Sequence, residues 1–413
     1  NVESFVASTG KGLNKEFFNF NYDITRFYIN SQLQTCVVLK CRNTVSEEVN
    51  GLMHIQYCKF WGDVVEFDIT LPSSVNKEAI SLEVPPLKYN KKMVFSYITD
   101  DSYAIYQYIF SLINKRYIAK RFKLPDDRIL TWHLGMQGDP QIEQYVSDAY
   151  YPEKPAQCTD GAGIKKRYAT TVATWPDKLK NQYIGQDFGY FLPWMSEKEF
   201  KLFFDFGFMV AYHDLIGYDT ATTDTQAKFD KCVEDSVALF KEYIGITPKL
   251  MVEPNGDHKY ITFSRVNDNI QVITAQGGDP SIKKVYPFSP DFTLSKNNVT
   301  IQRLFAYGDD MVYDNDNPQY AQDLLDILSG FNATENKESI YWLIGSTHRG
   351  SHWESVFIKN LHRLYGDIGL DNLWFPTLDE FFEYWYMREN TLSVKTVTET
   401  GVHYRMYVPK GAN

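Results

Sequence analysis

Two adjacent carboxylates, Asp100 and Asp101, close an apolar run, Met93-Val-Phe-Ser-Tyr-Ile-Thr99. Other groups capable of chemistry follow apolar runs in the same way: His213 after Phe208-Met-Val-Ala-Tyr212, Glu253-Pro-Asn-Gly-Asp257 after Leu250-Met-Val252, and His348 just beyond Tyr341-Trp-Leu-Ile-Gly345. An acid pair can divide two tasks. One carboxylate holds a divalent cation while its neighbour, on the other side of the chain, takes a proton from the water that the cation activates. Thr99, Asp100 and Asp101 would equally well cap a following helix, because short acceptor side chains and negative charge suit a helix amino end. A single histidine after a strand is more often a loop or core residue than a ligand. Polar groups at the ends of four separate apolar runs are harder to assign to chance.

Those ends converge only if the runs are parallel strands. From residue 91 the pattern predicts strands at 93–98, 168–174, 208–212, 249–253, 271–275 and 341–345, alternating with helices at 102–121, 196–206, 225–244, 317–331, 353–365 and 377–388. Ser196 and Glu199 form a capping box, and Phe200, Phe203 and Phe204 recur on one face of the helix that follows. Alternation of strand and helix implies an α/β fold with a parallel sheet. Six or more such units favour a closed or nearly closed (β/α) barrel, with an open doubly wound sheet as the second choice. In a barrel the functional groups gather at the carboxyl ends of the strands.

Residues 1–90 alternate apolar and polar positions in short runs, as in Thr35-Cys-Val-Val-Leu-Lys40 and Val64-Val-Glu-Phe-Asp-Ile-Thr70. This period of two predicts a small all-β sandwich as an accessory domain, ended by Pro85-Pro86. The barrel is expected over 91–390 and a strand-like tail over 391–413. The stretch 122–167 reads as an insertion that forms a lid or an extra substrate wall. It carries Trp132, which like Trp175 offers a stacking face for a sugar ring, although a buried aromatic is the commoner role.

The net charge of −10 and the lack of a basic run exclude the usual nucleic-acid binders, which need clustered Lys and Arg. Aromatic residues make up 16% of the chain, which suits sugar-stacking surfaces as well as a large core. The five cysteines fit no CxxC metal spacing; three of them, Cys36, Cys41 and Cys58, lie close enough in sequence to allow one disulfide. No segment approaches the roughly 20 apolar residues of a transmembrane helix. The chain starts at Asn1 without Met, which points to a removed leader and an extracytoplasmic location: periplasmic, cell-surface or secreted.

With these residues in order, residues 91–390 resemble the polysaccharide deacetylase family, metal-dependent esterases and amidases that remove acetyl groups from glycans. Tyr97-Ile-Thr-Asp-Asp101 resembles the family's first motif of Thr or Ser, Phe, Asp and Asp. Gly207-Phe-Met-Val-Ala-Tyr-His213 is placed like its Gly-x-x-x-x-x-His motif, Glu253-Pro-Asn-Gly256 sits where Arg-x-Pro-x-Gly is expected, and Phe375-Pro-Thr-Leu-Asp-Glu-Phe-Phe-Glu-Tyr384 resembles the closing helix. The resemblance implies a distorted (β/α) barrel of about seven strands and a divalent cation, zinc by preference. It makes Asp100 the general base, Asp101 and His213 the cation ligands, and His348 the acid that protonates the leaving group. A backbone N–H near Tyr103 would hold the oxyanion, with Glu253 and Trp132 against the substrate, an acetylated oligo- or polysaccharide.

Two positions depart from the pattern. The family's second metal-binding His falls on Gly217, and the Arg of the third motif falls on Val252. The order of preference for a third ligand is Asp219, Asp214, His258 and His352. The expected function is deacetylation of an N- or O-acetyl group. The alternatives are a deacetylase fold that has lost turnover and binds glycan, and a (β/α)-barrel glycoside hydrolase using a carboxylate pair such as Asp100 and Glu253.

Overall fold

A computed structural model of the chain describes residues 4–8, 32–42, 49–60, 64–71, 73–100, 106–114, 119–123, 129–133, 154–160, 164–180, 184–187, 190–193, 197–219, 221–254, 256–275, 299–302, 321–323, 325–326, 328–329, 342–347 and 352–409. The chain divides into two compact units: residues 1–91, 159–164 and 381–413 form one, and residues 92–158 and 165–380 the other.

The second unit is an α/β barrel sheet. Its strands are β1 (Met93–Thr99), β2 (Thr171–Thr174), β3 (Met209–Tyr212), β4 (Leu250–Val252), β5 (Val272–Ala275), β6 (Val299–Gln302) and β7 (Trp342–Thr347). They lie in the order β6-β5-β4-β3-β2-β1-β7, and every pairing between neighbours is parallel. The seventh strand lies beside the first, so the sequence runs once round a barrel whose seam falls between β6 and β7. A two-residue strand, β8 (Leu373–Trp374), pairs with the start of β1. All seven residues of β1 are buried, as a parallel strand covered on both faces requires.

The helices of this unit are α1 (Tyr106–Asn114), α2 (Pro176–Lys180), α3 (Glu197–Asp205), α4 (Gln226–Ile244), α5 (His258–Ser264) and α6 (His352–Tyr365), and α7 (Leu378–Asn390) begins in it and continues in the first unit. The boundaries of α4 follow local chemistry. Thr225 accepts the amide of Lys228 at the start, and Gly245 closes the helix at φ 75°, in the left-handed region that glycine enters without strain. Its buried stripe includes Phe229, Val233 and Phe240.

The register fixes which side chains face inward. Tyr212 sets its ring edge against Phe240 of α4, 5.2 Å between centroids, and therefore points outward. Its neighbours Ala211 and His213 then face the barrel interior, because side chains alternate along a strand. Ala211 pairs with Ala173 of β2, and Thr99 of β1 pairs with Val172, which brings Asp100 level with Ala173 on the inner side. At the opposite, amino end of the strands the inner face is closed by the chain around Pro376. Ser96 Oγ donates to the Pro376 carbonyl at 3.1 Å, and Thr171 Oγ1 accepts the amide of Leu378 at 3.0 Å.

Several elements differ from the sequence reading: the strand expected over 168–174 covers only Thr171–Thr174, and the helices Pro176–Lys180 and His258–Ser264 were not expected. The helix expected over 102–121 covers only Tyr106–Asn114, and Ala119–Lys123 is instead a strand paired antiparallel with Ile129–His133. Asn114 marks the break, its side chain turning back to the Phe110 carbonyl at 3.0 Å. The strand β6 was not predicted, because Val299-Thr-Ile-Gln302 is too short and polar to announce itself.

The first unit contains two antiparallel sheets. One orders Ser4–Ser8, Val64–Thr70, Gly401–Tyr407 and Leu392–Val397 side by side; the other pairs Val49–Phe60, Gln32–Arg42 and Ile80–Glu83. The last strands of the chain thus complete a sheet begun near its start. The hydroxyl of Tyr404 reaches from the first sheet to the Ile80 carbonyl of the second at 2.7 Å. Burial pushes that phenol up to about 12. Cys158 and Cys232 are free and buried, whereas the side chains of Cys36, Cys41 and Cys58 lie outside the described residues. Among the described residues no helix is long and apolar enough to cross a membrane.

Candidate active site

At the carboxyl ends of the barrel strands three ionisable side chains are buried: Asp100 at 1% exposure, His213 at 3% and Glu253 at 0%. Asp100 follows β1, His213 follows β3 and Glu253 follows β4, but Met251 pairs with the outward Tyr212, so Glu253, two residues on, stands on the outer side while Asp100 and His213 face the mouth. Asp100 and His213 stand on the inner side with β2 between their strands, a separation of roughly 10 Å from backbone to backbone. Ala173 and Ala211, both small, line the inner face beneath them.

His213 is oriented from two sides. Its amide donates to the Thr174 carbonyl at 3.0 Å, and its ring Nδ1 lies 3.2 Å from the Val252 carbonyl. A carbonyl only accepts, so Nδ1 carries a proton, and in the neutral ring the lone pair sits on Nε2. Metal-bound histidines are commonly held this way, one nitrogen donating to a carbonyl while the other binds. The ring of Trp175, half-buried at the end of β2, lies 6.1 Å from that of His213.

The remaining expected residues fall in three groups. Asp101, Tyr103 and His348 lie outside the described residues; His348 follows Thr347, which pairs with Thr99. Trp132 lies on the strand Ile129–His133, and its side chain, like those of His258 and His352, is outside the described residues. Asp219 is exposed on a turn, where its Oδ1 accepts the Ala221 amide at 2.8 Å. Gly217 adopts φ 70°, a conformation that side-chain-bearing residues rarely enter, so the position of the family's second histidine is here a turn glycine. Among the described residues no three His, Cys, Asp or Glu side chains stand close enough to hold a metal ion. A three-ligand site that includes His213 would therefore need at least one residue from outside the described set, to which Asp101 belongs.

A network unforeseen from sequence surrounds His213. Asp214 Oδ1 accepts the Leu215 amide at 2.7 Å and the hydroxyl of Tyr260. Burial raises the Asp214 carboxyl above the ordinary range, against the lowering effect of those two bonds. The Tyr218 ring stacks obliquely on that of Tyr260, 4.0 Å between centroids, and its hydroxyl donates to Asp257 Oδ2 at 3.2 Å. Asp257 Oδ1 in turn caps α5 by accepting the Lys259 amide at 3.1 Å. The only sequence signal was Asp257 as a helix cap, since nothing in a tyrosine's spacing announces a hydroxyl aimed at a neighbouring loop.

Residues 66–410 match the family model described as "Putative polysaccharide deacetylase". No curated protein matches the chain. Among solved structures, a protein from Mycobacterium smegmatis described as a "putative polysaccharide deacetylase" shares 8% identity, with 77% of this chain and 98% of that one covered and a TM-score of 0.40. The peptidoglycan deacetylase PdaC from Bacillus subtilis shares 10%, covering 73% and 96% at a TM-score of 0.34, and Puue allantoinase shares 10%, covering 72% and 91% at 0.40. The family model begins within the strand Val64–Thr70 and covers the barrel strands and the closing hairpin, and on that match the chain belongs to the polysaccharide deacetylase family.

Proposed function

We propose that the protein is a metal-dependent carbohydrate deacetylase that hydrolyses N- or O-acetyl groups of an extracytoplasmic glycan. The observation that carries this reading is the pairing of Asp100 and His213 on the inner side of the barrel mouth, with His213 locked as the Nδ1–H tautomer by the Val252 carbonyl. A divalent cation, zinc by the donor types, supplies when bound a lowered pKa for one water and a polarised acetyl carbonyl. His213 Nε2 and the Asp101 carboxylate are the chain's ligands for it.

Asp100 takes the proton of the attacking water. The backbone N–H of Tyr103 donates to the oxygen that gains charge as the acetyl carbon becomes tetrahedral. His348 gives a proton to the departing nitrogen or oxygen of the sugar, so that acetate and the free amine or hydroxyl are released. Trp132 supplies a stacking face for the sugar.

Metal analysis combined with acetate release from acetylated chito- and xylo-oligosaccharides tests the reading. Chelation should abolish acetate release and restored cation should recover it. Release of reducing sugar without acetate would point to a glycoside hydrolase instead. Gly217 and Val252, which occupy the family's His and Arg positions, favour a second reading: a deacetylase fold that binds glycan without turnover. Its signature would be oligosaccharide binding with no acetate released at any cation concentration.

A further inference from the structure

The β4–α5 segment grips the residue pair His213-Asp214 at two points. From β4, the Val252 carbonyl holds the His213 ring. From α5, the Tyr260 hydroxyl holds the carboxylate of the next residue, Asp214. Tyr260 is itself 2% exposed and cannot swing away without leaving its packing against Tyr218 and Phe229. The loop is fastened again from below, where the Ile216 amide donates to Ser236 Oγ of α4 at 3.0 Å. The next residue is Gly217, so within this turn the chain offers no side chain at the family's second histidine position.

We propose that Tyr260 is a positioning residue for His213: by anchoring Asp214 it fixes the backbone from which the imidazole projects and so keeps Nδ1 on the Val252 carbonyl and the Nε2 lone pair on the inner side of the mouth. The consequence for catalysis rests on the deacetylase reading above; the consequence for the ring does not. Without the hydroxyl, the Asp214 carboxylate loses a buried donor and turns toward water. The His213 backbone turns with it, and the ring is no longer confined to one tautomer.

The test uses the full chain with ¹⁵N-labelled histidine, the His213 ring being assigned by its loss in His213→Gln. Long-range ¹H–¹⁵N spectra of the wild type should show a single Nδ1–H tautomer. In Tyr260→Phe the two tautomers should mix, and the dissociation constant for cobalt(II) should rise about ten-fold or more. Asp214→Asn, which keeps an oxygen for Tyr260 to donate to, should retain both the wild-type tautomer and the wild-type cobalt affinity. An unchanged His213 spectrum and unchanged cobalt affinity in Tyr260→Phe would overturn the proposal, whatever happens to the melting temperature, and leave Tyr260 as packing only. Should that variant not fold, Asp214→Ala removes the acceptor of the same Tyr260 bond and is read the same way. A wild-type chain that binds no cobalt and releases no acetate removes the deacetylase reading, while the His213 tautomer still decides the role of Tyr260.

Discussion

At the floor of the barrel His362, in the last turn of α6, meets Asp367, its Nε2 2.7 Å from Oδ1, and both side chains are almost fully buried. At the mouth His213 meets a backbone carbonyl. The floor carboxylate is saturated: Gln157 Nε2 donates to its other oxygen at 2.8 Å, and Lys165 Nζ lies 3.4 Å from that oxygen. Burial alone would raise the Asp367 carboxyl, but the bonds from His362 and Gln157 and the positive charges beside it hold it below the ordinary range. At the mouth the balance is reversed at Asp214, where burial prevails and the carboxyl is raised. The same residue types therefore serve two ends. A histidine with a carboxylate partner closes a structure, whereas a histidine whose Nδ1 is turned to a carbonyl directs its other nitrogen elsewhere.

The largest effect that would sharpen this contrast is at Asp100. Asp100→Asn should lower the rate of acetate release by about 10²–10⁴-fold, the usual contribution of a general base, with cation content and melting temperature unchanged. Equal losses of activity and of bound cation would break the separation of roles. The corresponding change at the floor, Asp367→Ala, should do the reverse. Leaving the His362 ring buried without its ionic partner should cost about 3 kcal/mol in denaturant unfolding, with acetate release per folded molecule preserved.

The pH response should also differ between the two ends. A carboxyl whose folded value is depressed contributes stability above its unfolded pKa and loses it as pH falls through the folded value. The stability due to Asp367 is therefore complete above about pH 4 and disappears below it. Acid titration of Asp367→Asn should show a shallower loss of stability below about pH 4 than the wild type. The smallest effect is expected at Ser96, whose buried hydroxyl bonds the Pro376 carbonyl; Ser96→Ala should cost about 1 kcal/mol and leave turnover intact.

Much of the barrel was legible because buried parallel strands are unbroken apolar runs, and Met93–Thr99, Met209–Tyr212 and Leu250–Val252 each read that way. Asp100, His213 and Glu253 were legible for the same reason, as the first polar residues after those runs. The strand Val299–Gln302 was not, since four residues are too few for an alternation of apolar and polar to stand out. Nor was the floor pair. His362 in a last helical turn and Asp367 after Gly366 look like ordinary surface punctuation, and only the fold brings Gln157 to them from over 200 residues away. Gly366 is the one visible trace, because a Cβ there would lie 2.8 Å from the Gln157 carbonyl. The Tyr260–Asp214 bond was hidden likewise, joining a helix to a loop 46 residues earlier.

The most direct test of the account is crystallography of the zinc- or cobalt-loaded chain with anomalous scattering at the metal edge. The account predicts one peak at the barrel mouth, about 2.0–2.1 Å from His213 Nε2 and about 2.0–2.2 Å from an Asp101 oxygen. A metal bound elsewhere, or a mouth that stays empty at saturating cation while acetate is still released, would contradict it.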